Sequence, residues 1–88
     1  MIDTIAKQYG FSEFTLLAVT TLIKKFPNNT EAWIHEWLDY CSVCFYLGKE
    51  IAGEYIIDSE EEFKKFLIRI GNEPDFDILN EEYKQVAI

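Results

Sequence analysis

The 88-residue chain has few of the residues that most often carry chemistry: one histidine, two cysteines, two prolines, and half as many bases as acids. Each scarcity excludes something. Eight Lys and Arg against sixteen Asp and Glu give a formal charge of −8 and a pI near 4.5. DNA, RNA and anionic lipid would all repel such a molecule. The longest apolar run, 43–47, is far too short to cross a bilayer. Met1-Ile2-Asp3-Thr4 offers no basic region and no apolar stretch after it, so no secretory signal is expected. Two cysteines without a signal suggest reduced thiols in a cytosol. There is no glycine-rich phosphate loop, and Asp75, Asp77, Glu81 and Glu82 miss both the spacing and the turn glycine of a calcium loop. His35 has Glu31 and Asp39 one helical turn away, but Ser42, about two turns on, is the only nucleophile on that arc. No catalytic residue, cofactor or metal site is expected.

What is present is the composition of a folded domain. Hydrophobic residues make up 49%, charged residues 27% and aromatics 16%, enough large rings for a core in one domain spanning 1–88. The charge is uneven. Residues 1–30 carry two acids against three bases, a net of +1, whereas 31–88 carry fourteen against five, a net of −9. Two acidic runs contain no base: Glu50, Glu54, Asp58, Glu60, Glu61 and Glu62, then Glu73, Asp75, Asp77, Glu81 and Glu82. In a helix, Lys64 and Lys65 would neutralise Glu60 and Glu61 at i, i+4. The uncompensated acids are then Glu50, Glu54, Asp58 and the 73–82 segment.

The periodicity points to an α+β fold, mainly helical, with three to four helices and one small β element; the alternative is an all-α bundle. A first helix is expected over 12–26, capped by Ser12 and stopped by Pro27. Leu16, Ala18, Val19, Leu22, Ile23 and Phe26 form its apolar side, and Phe14 and Leu17 stand alone in its polar arc. A second helix is expected from Thr30, with Glu31, His35, Asp39, Ser42, Tyr46 and Lys49 as a polar stripe and Gly48 closing it. A rival reading ends it near Cys41 and makes 43–57 a hairpin turning at Gly48-Lys49. Residues 54–57 read as a strand whose partner is 43–47, 1–6 or 86–88. A third helix follows over 59–70, with Ser59 and Glu62 as a capping box, and a short last helix over 79–86. Trp33, Trp37, Phe63 and Phe66 are the expected core. Cys41 and Cys44 have a CxxC spacing but fall mid-helix beside the apolar stripe, which suits buried structural thiols rather than redox or zinc chemistry.

Two resemblances add to this. Residues 5–16, with Ala6, the turn Gly10 and Ser12 opening a second helix, resemble the core of a helix-turn-helix. The positions that would read bases are Glu13, Phe14, Leu17 and Ala18, and none offers a bidentate donor. Residues 54–83, with the strand Glu54-Tyr55-Ile56-Ile57, then Ser59, an acidic run, Phe63 to Phe66 and the Glu73–Glu82 segment, resemble the layout of small phage-borne anti-CRISPR and antirestriction proteins. That resemblance implies a non-catalytic acidic DNA mimic: an inhibitor or decoy that occupies the basic nucleic-acid-binding surface of a host defence nuclease. The implied partner is a basic nucleic-acid-binding protein, not nucleic acid or membrane, and a homodimer is compatible with it. The expected contact residues are Glu50, Glu54, Asp58, Glu73, Asp75, Asp77, Glu81 and Glu82, with Phe14 and Leu17 as an apolar interface pair. An immunity or mobile-element accessory module, or a helix-turn-helix-like transcriptional regulator, is the alternative.

Overall fold

A computed structural model describes residues 2–86 and overturns the helical reading of the first half of the chain. Helix α1 (Ile2–Gln8) leads into five strands, β1 (Ser12–Leu16), β2 (Val19–Phe26), β3 (Thr30–Glu36), β4 (Cys41–Leu47) and β5 (Glu50–Ile57), and then α2 (Glu60–Ile70) and α3 (Phe76–Glu82). The strands form one antiparallel meander in chain order. With 42% strand against 29% helix the protein is mainly β; it is neither the mainly helical α+β fold nor the all-α bundle. The helix expected over 12–26 is the β1–β2 hairpin, and the one expected from Thr30 is β3 and β4. The element after Gly10 is strand β1, not a helix, so the helix-turn-helix resemblance fails at its second helix.

The physical reason is a coincidence of periods. A step of four satisfies a strand's period of two as well as a helix's 3.6. Glu31 and His35 lie four apart on one face of β3, and Ser42 and Tyr46 lie four apart on one face of β4. Residues 37–40 make a turn closed by the Trp37 N–H donating to the Tyr40 carbonyl at 2.7 Å, and they join the two sets in apparent phase. The turns then decide the topology. Asn28 and Asn29 both take positive φ, 62° and 60°, in the three-residue Pro27-Asn28-Asn29 loop that joins Phe26 to Thr30, a conformation Asn tolerates better than most residues. Gly48, at φ 65°, opens the β4–β5 turn, which is the hairpin of the rival reading.

All three helices pack on one sheet face. The core there joins Ile5 and Ala6 of α1, Phe63, Phe66, Leu67 and Ile70 of α2, and Leu79 of α3 to Leu22, Phe26, Ala32, Ile34, Cys41, Val43, Phe45, Tyr55 and Ile57 of the sheet. Phe63 and Phe66 are therefore core, as expected, whereas Trp33 is half-buried on the opposite face and Trp37 is 54% exposed. Lys24 also points to the helix side. Its Nζ donates to the carbonyls of Tyr9 at 2.8 Å and Gly71 at 3.0 Å, so one cation serves the C-terminal ends of α1 and α2. Gly53 is required by its neighbour two residues on. A Cβ there would meet the Tyr55 hydroxyl at 2.7 Å, and that hydroxyl is pinned by donating to Asn80 Oδ1 at 2.7 Å.

Helix α2 forms as expected, with the Ser59 side chain accepting from the Glu62 N–H at 3.1 Å and Gly71 as C-cap. The last helix starts earlier than expected, at Phe76, because Asp75 caps it by accepting from the Asp77 and Ile78 N–H groups. The free edge of β5 gains a short partner: Ile56 donates to the Lys84 carbonyl and Val86 donates to the Glu54 carbonyl. Of the three partners considered for 54–57, then, 43–47 pairs as β4 and Val86 touches the other edge; 87 and 88 lie outside the described residues.

Candidate functional site

The acids separate by what they do. On α2, Glu60, Glu61 and Glu62 face Lys64 and Lys65 at 3.6–4.0 Å. Glu82 is held bidentately by Arg69 at 2.7 and 2.8 Å, and Asp75 is the α3 cap. Two of the expected contact residues thus have structural partners. Glu54 lies half-buried on the sheet face away from the helices and accepts from the buried Ser42 hydroxyl at 2.8 Å; Ser42 in turn accepts from Trp37 Nε1 at 3.2 Å.

Glu50, Asp58, Glu73, Asp77 and Glu81 remain, all exposed and, among the described residues, without an ion pair within 4.0 Å. Glu73, Asp75 and Asp77 line one groove of about 570 Å³ with Phe26, Thr30, Leu47 and Phe76. Glu50 lies beside it, paired with Leu47 across the β4–β5 turn. Asp77 and Glu81 sit one turn apart on α3, where two like charges repel. Asp58 is at the other end of β5, in a separate groove with Glu62, Glu82 and Lys84. The fold therefore gathers Glu50, Glu73, Asp75 and Asp77 at one end, with Glu81 one turn further along α3, and leaves Asp58 and Glu54 apart.

The sheet face away from the helices is open. Phe14 packs edge-on to Trp33 at 5.6 Å between ring centres, and Trp33 to Tyr46 at 6.0 Å, forming an aromatic run across β1, β3 and β4. Phe14 keeps 38% of its surface exposed, and Leu17, at the β1–β2 turn, keeps 90%. Leu16 and Val19 beside it are 60% and 69% exposed. Trp33, Leu16 and Val19 were missed as open-face residues by assignment to apolar helical stripes, whereas Tyr46 was on the polar one. The signal that could have found Leu16 and Val19 is the mirrored order Thr15-Leu16, Leu17-Ala18, Val19-Thr20, which places like residues opposite each other across a two-residue turn.

A groove of about 400 Å³ at the end of this sheet brings His35 together with Asp3, Glu36, Thr20 and Thr21. Glu36 and Asp3 share a hydrogen bond there. Partial burial, then Asp3, raises the Glu36 carboxyl above its ordinary range, while the bond to Glu36 holds Asp3 below its own. The neighbouring hydroxyls are engaged elsewhere: Thr21 donates to the Ile34 carbonyl at 2.7 Å, and Thr20 bonds Thr15 at 2.8 Å. Cys41 and Cys44 are both 2% exposed. Three positions apart on a strand, they point to opposite faces, Cys41 into the core and Cys44 beneath the open face. Burial, then the charge of Glu36, pushes the Cys41 thiol up to about 12; burial also raises Cys44. Among the described residues no three His, Cys, Asp or Glu side chains are grouped to hold a metal ion, and no helix is long and apolar enough to cross a membrane. No family model matches the chain, and neither the curated proteins nor the solved structures compared with it include a match.

Proposed function

We propose that this is a non-catalytic, cytoplasmic binding protein that occupies the basic nucleic-acid-binding surface of a partner, as an inhibitor or decoy of the anti-CRISPR or antirestriction kind would. The observation that carries the reading is the contrast between the two C-terminal helices. On α2 each acid of the first turn has a lysine within 4.0 Å. On α3, Asp77 and Glu81 repel each other and, among the described residues, have no lysine or arginine partner; Glu73 and Glu50 lie near Asp77. Carboxylates spaced along a helix and a neighbouring turn present a series of negative charges to lysine and arginine, and such a field steers encounter.

On this reading the contact set narrows. Its centre is Glu50, Glu73 and Asp77, with Glu81 one turn further along α3. Asp75 and Glu82 support it through the α3 cap and the Arg69 pair, and Asp58 and Glu54 belong to other surfaces. The test is capture of the partner from lysate on immobilised protein at low salt, followed by displacement with duplex DNA. Release of a basic nucleic-acid-binding protein by DNA supports the reading. A captured protein indifferent to both DNA and salt contradicts it.

A further inference from the structure

We infer that a second copy of this chain docks on the outer edge of β1 and the β1–β2 turn, in a two-fold antiparallel pairing of β1 with β1 centred on Phe14. The inference rests on the hairpin and not on the acidic end.

Both edges of the sheet need protection, because unpaired strand N–H and C=O groups recruit other strands. The β5 edge has it from residues 84–86. The β1 edge does not: no described backbone group bonds to its outer side, and all five residues are exposed. Of the usual defences β1 has one charge, Glu13, which Lys7 neutralises at 3.2 Å; a lysine, a proline and a bulge are absent from Ser12-Glu13-Phe14-Thr15-Leu16. The turn beyond it is stranger. Leu17 and Ala18 take φ of 53° and 66°, the conformation that favours Asn and Gly, and Leu17 is 90% exposed while doing so. A strained, exposed leucine between exposed Leu16 and Val19 makes an apolar tip, and residues 14–23 hold no charge at all.

Charge selects the occupant. Two molecules of charge −8 repel almost everywhere. The sheet places β1 and β2, drawn from the half with net +1, at one edge, and β5 with α3 packed on it at the other. The acidic groove lies by the β2–β3 turn, at the other end of β2 from the β1–β2 turn, so an antiparallel two-fold at β1 puts the two acidic ends at opposite ends of the joined sheet. The one β1 acid, Glu13, is paired with Lys7 at 3.2 Å. Centred on Phe14, the pairing sets Glu13 against Thr15 and Ser12 against Leu16, so no like charges face each other. It also sets Phe14 against its own copy on the open face, and the run Tyr46, Trp33, Phe14 continues into the second molecule.

Sedimentation equilibrium over a concentration series tests this. The parent should reach 20.8 kDa, twice the 10.4 kDa chain, and the dimer should tighten as salt screens the repulsion between copies. Partner binding through the acids has the opposite salt dependence, so the two readings fail separately. Leu16→Lys places a charge on the contact at a position 60% exposed and should weaken the dimer at least about tenfold. Leu17→Asn with Ala18→Gly gives the turn its preferred residues; it should raise the melting temperature of the monomer and weaken the dimer. A parent that stays monomeric at every concentration and salt overturns the proposal, as does either variant dimerising as tightly as the parent. A monomeric parent whose Leu16 and Leu17 become shielded from hydroxyl-radical footprinting only when the basic partner is added overturns it too, and gives the hairpin to that partner.

Discussion

Burial decides what individual side chains do here. Cys41 sits in the core with its thiol at about 12, because burial and then the charge of Glu36 oppose the thiolate. The sign is that of a raised acid: the neutral thiol is the form the fold favours, and the thiolate appears only as pH rises through that value. At pH 8 the native protein should therefore show no alkylation of Cys41 by iodoacetamide within the time that alkylates the unfolded chain, as read by mass spectrometry. The aromatics divide in the same way. Phe66 is fully buried, so Phe66→Ala should cost about 3–5 kcal/mol in denaturant unfolding. Trp37, 54% exposed and held by one hydrogen bond to Ser42, should cost only about 1 kcal/mol as Trp37→Ala. Equal losses at the two positions would place Trp37 in the core after all.

Elements owe their form to turns and to close packing between neighbours. Gly53→Ala tests the packing of β5. Its Cβ would press on a Tyr55 ring that cannot swing away without giving up Asn80, so the loss should be about 1–3 kcal/mol by chemical denaturation. Sequence made some elements legible and not others, for local reasons. Helix α2 could be read because its signals lie within one or two turns: Ser59 on the Glu62 N–H, and Glu60 and Glu61 facing Lys64 and Lys65. The strands could not, because steps of four fit both periods and because the open face carries Ile23, Trp33 and Tyr46, which blur the alternation. The β1–β2 turn lacked the usual Asn-Gly signature, since Leu17 and Ala18 fill it. Of the expected contact residues, Phe14 and Leu17 were legible as apolar residues out of place, and both are exposed. Glu82 looked free because its Arg69 partner, thirteen residues away, is set by the fold; the Asp75 cap is as local as that of Ser59 and was passed over because the last helix was read as starting later.

On the scale of the whole molecule the protein is polarised. One sheet edge is apolar at its tip, with its one acid, Glu13, paired to Lys7; the uncompensated acids gather away from that tip, by the β2–β3 and β4–β5 turns. Salt acts oppositely on the two ends, favouring contact between copies at the first and opposing contact with a basic surface at the second. The most direct measurement is calorimetric titration of the captured basic partner with Glu73→Lys, Asp77→Lys, Glu81→Lys protein. Asp75 is left intact so that α3 keeps its cap, and circular dichroism checks the fold. At low salt the triple variant should bind at least about a hundredfold more weakly than the parent, and the difference should shrink at high salt. A folded triple variant that binds as tightly as the parent at both salt concentrations would contradict the account and leave the acids of α3 as a solvated face.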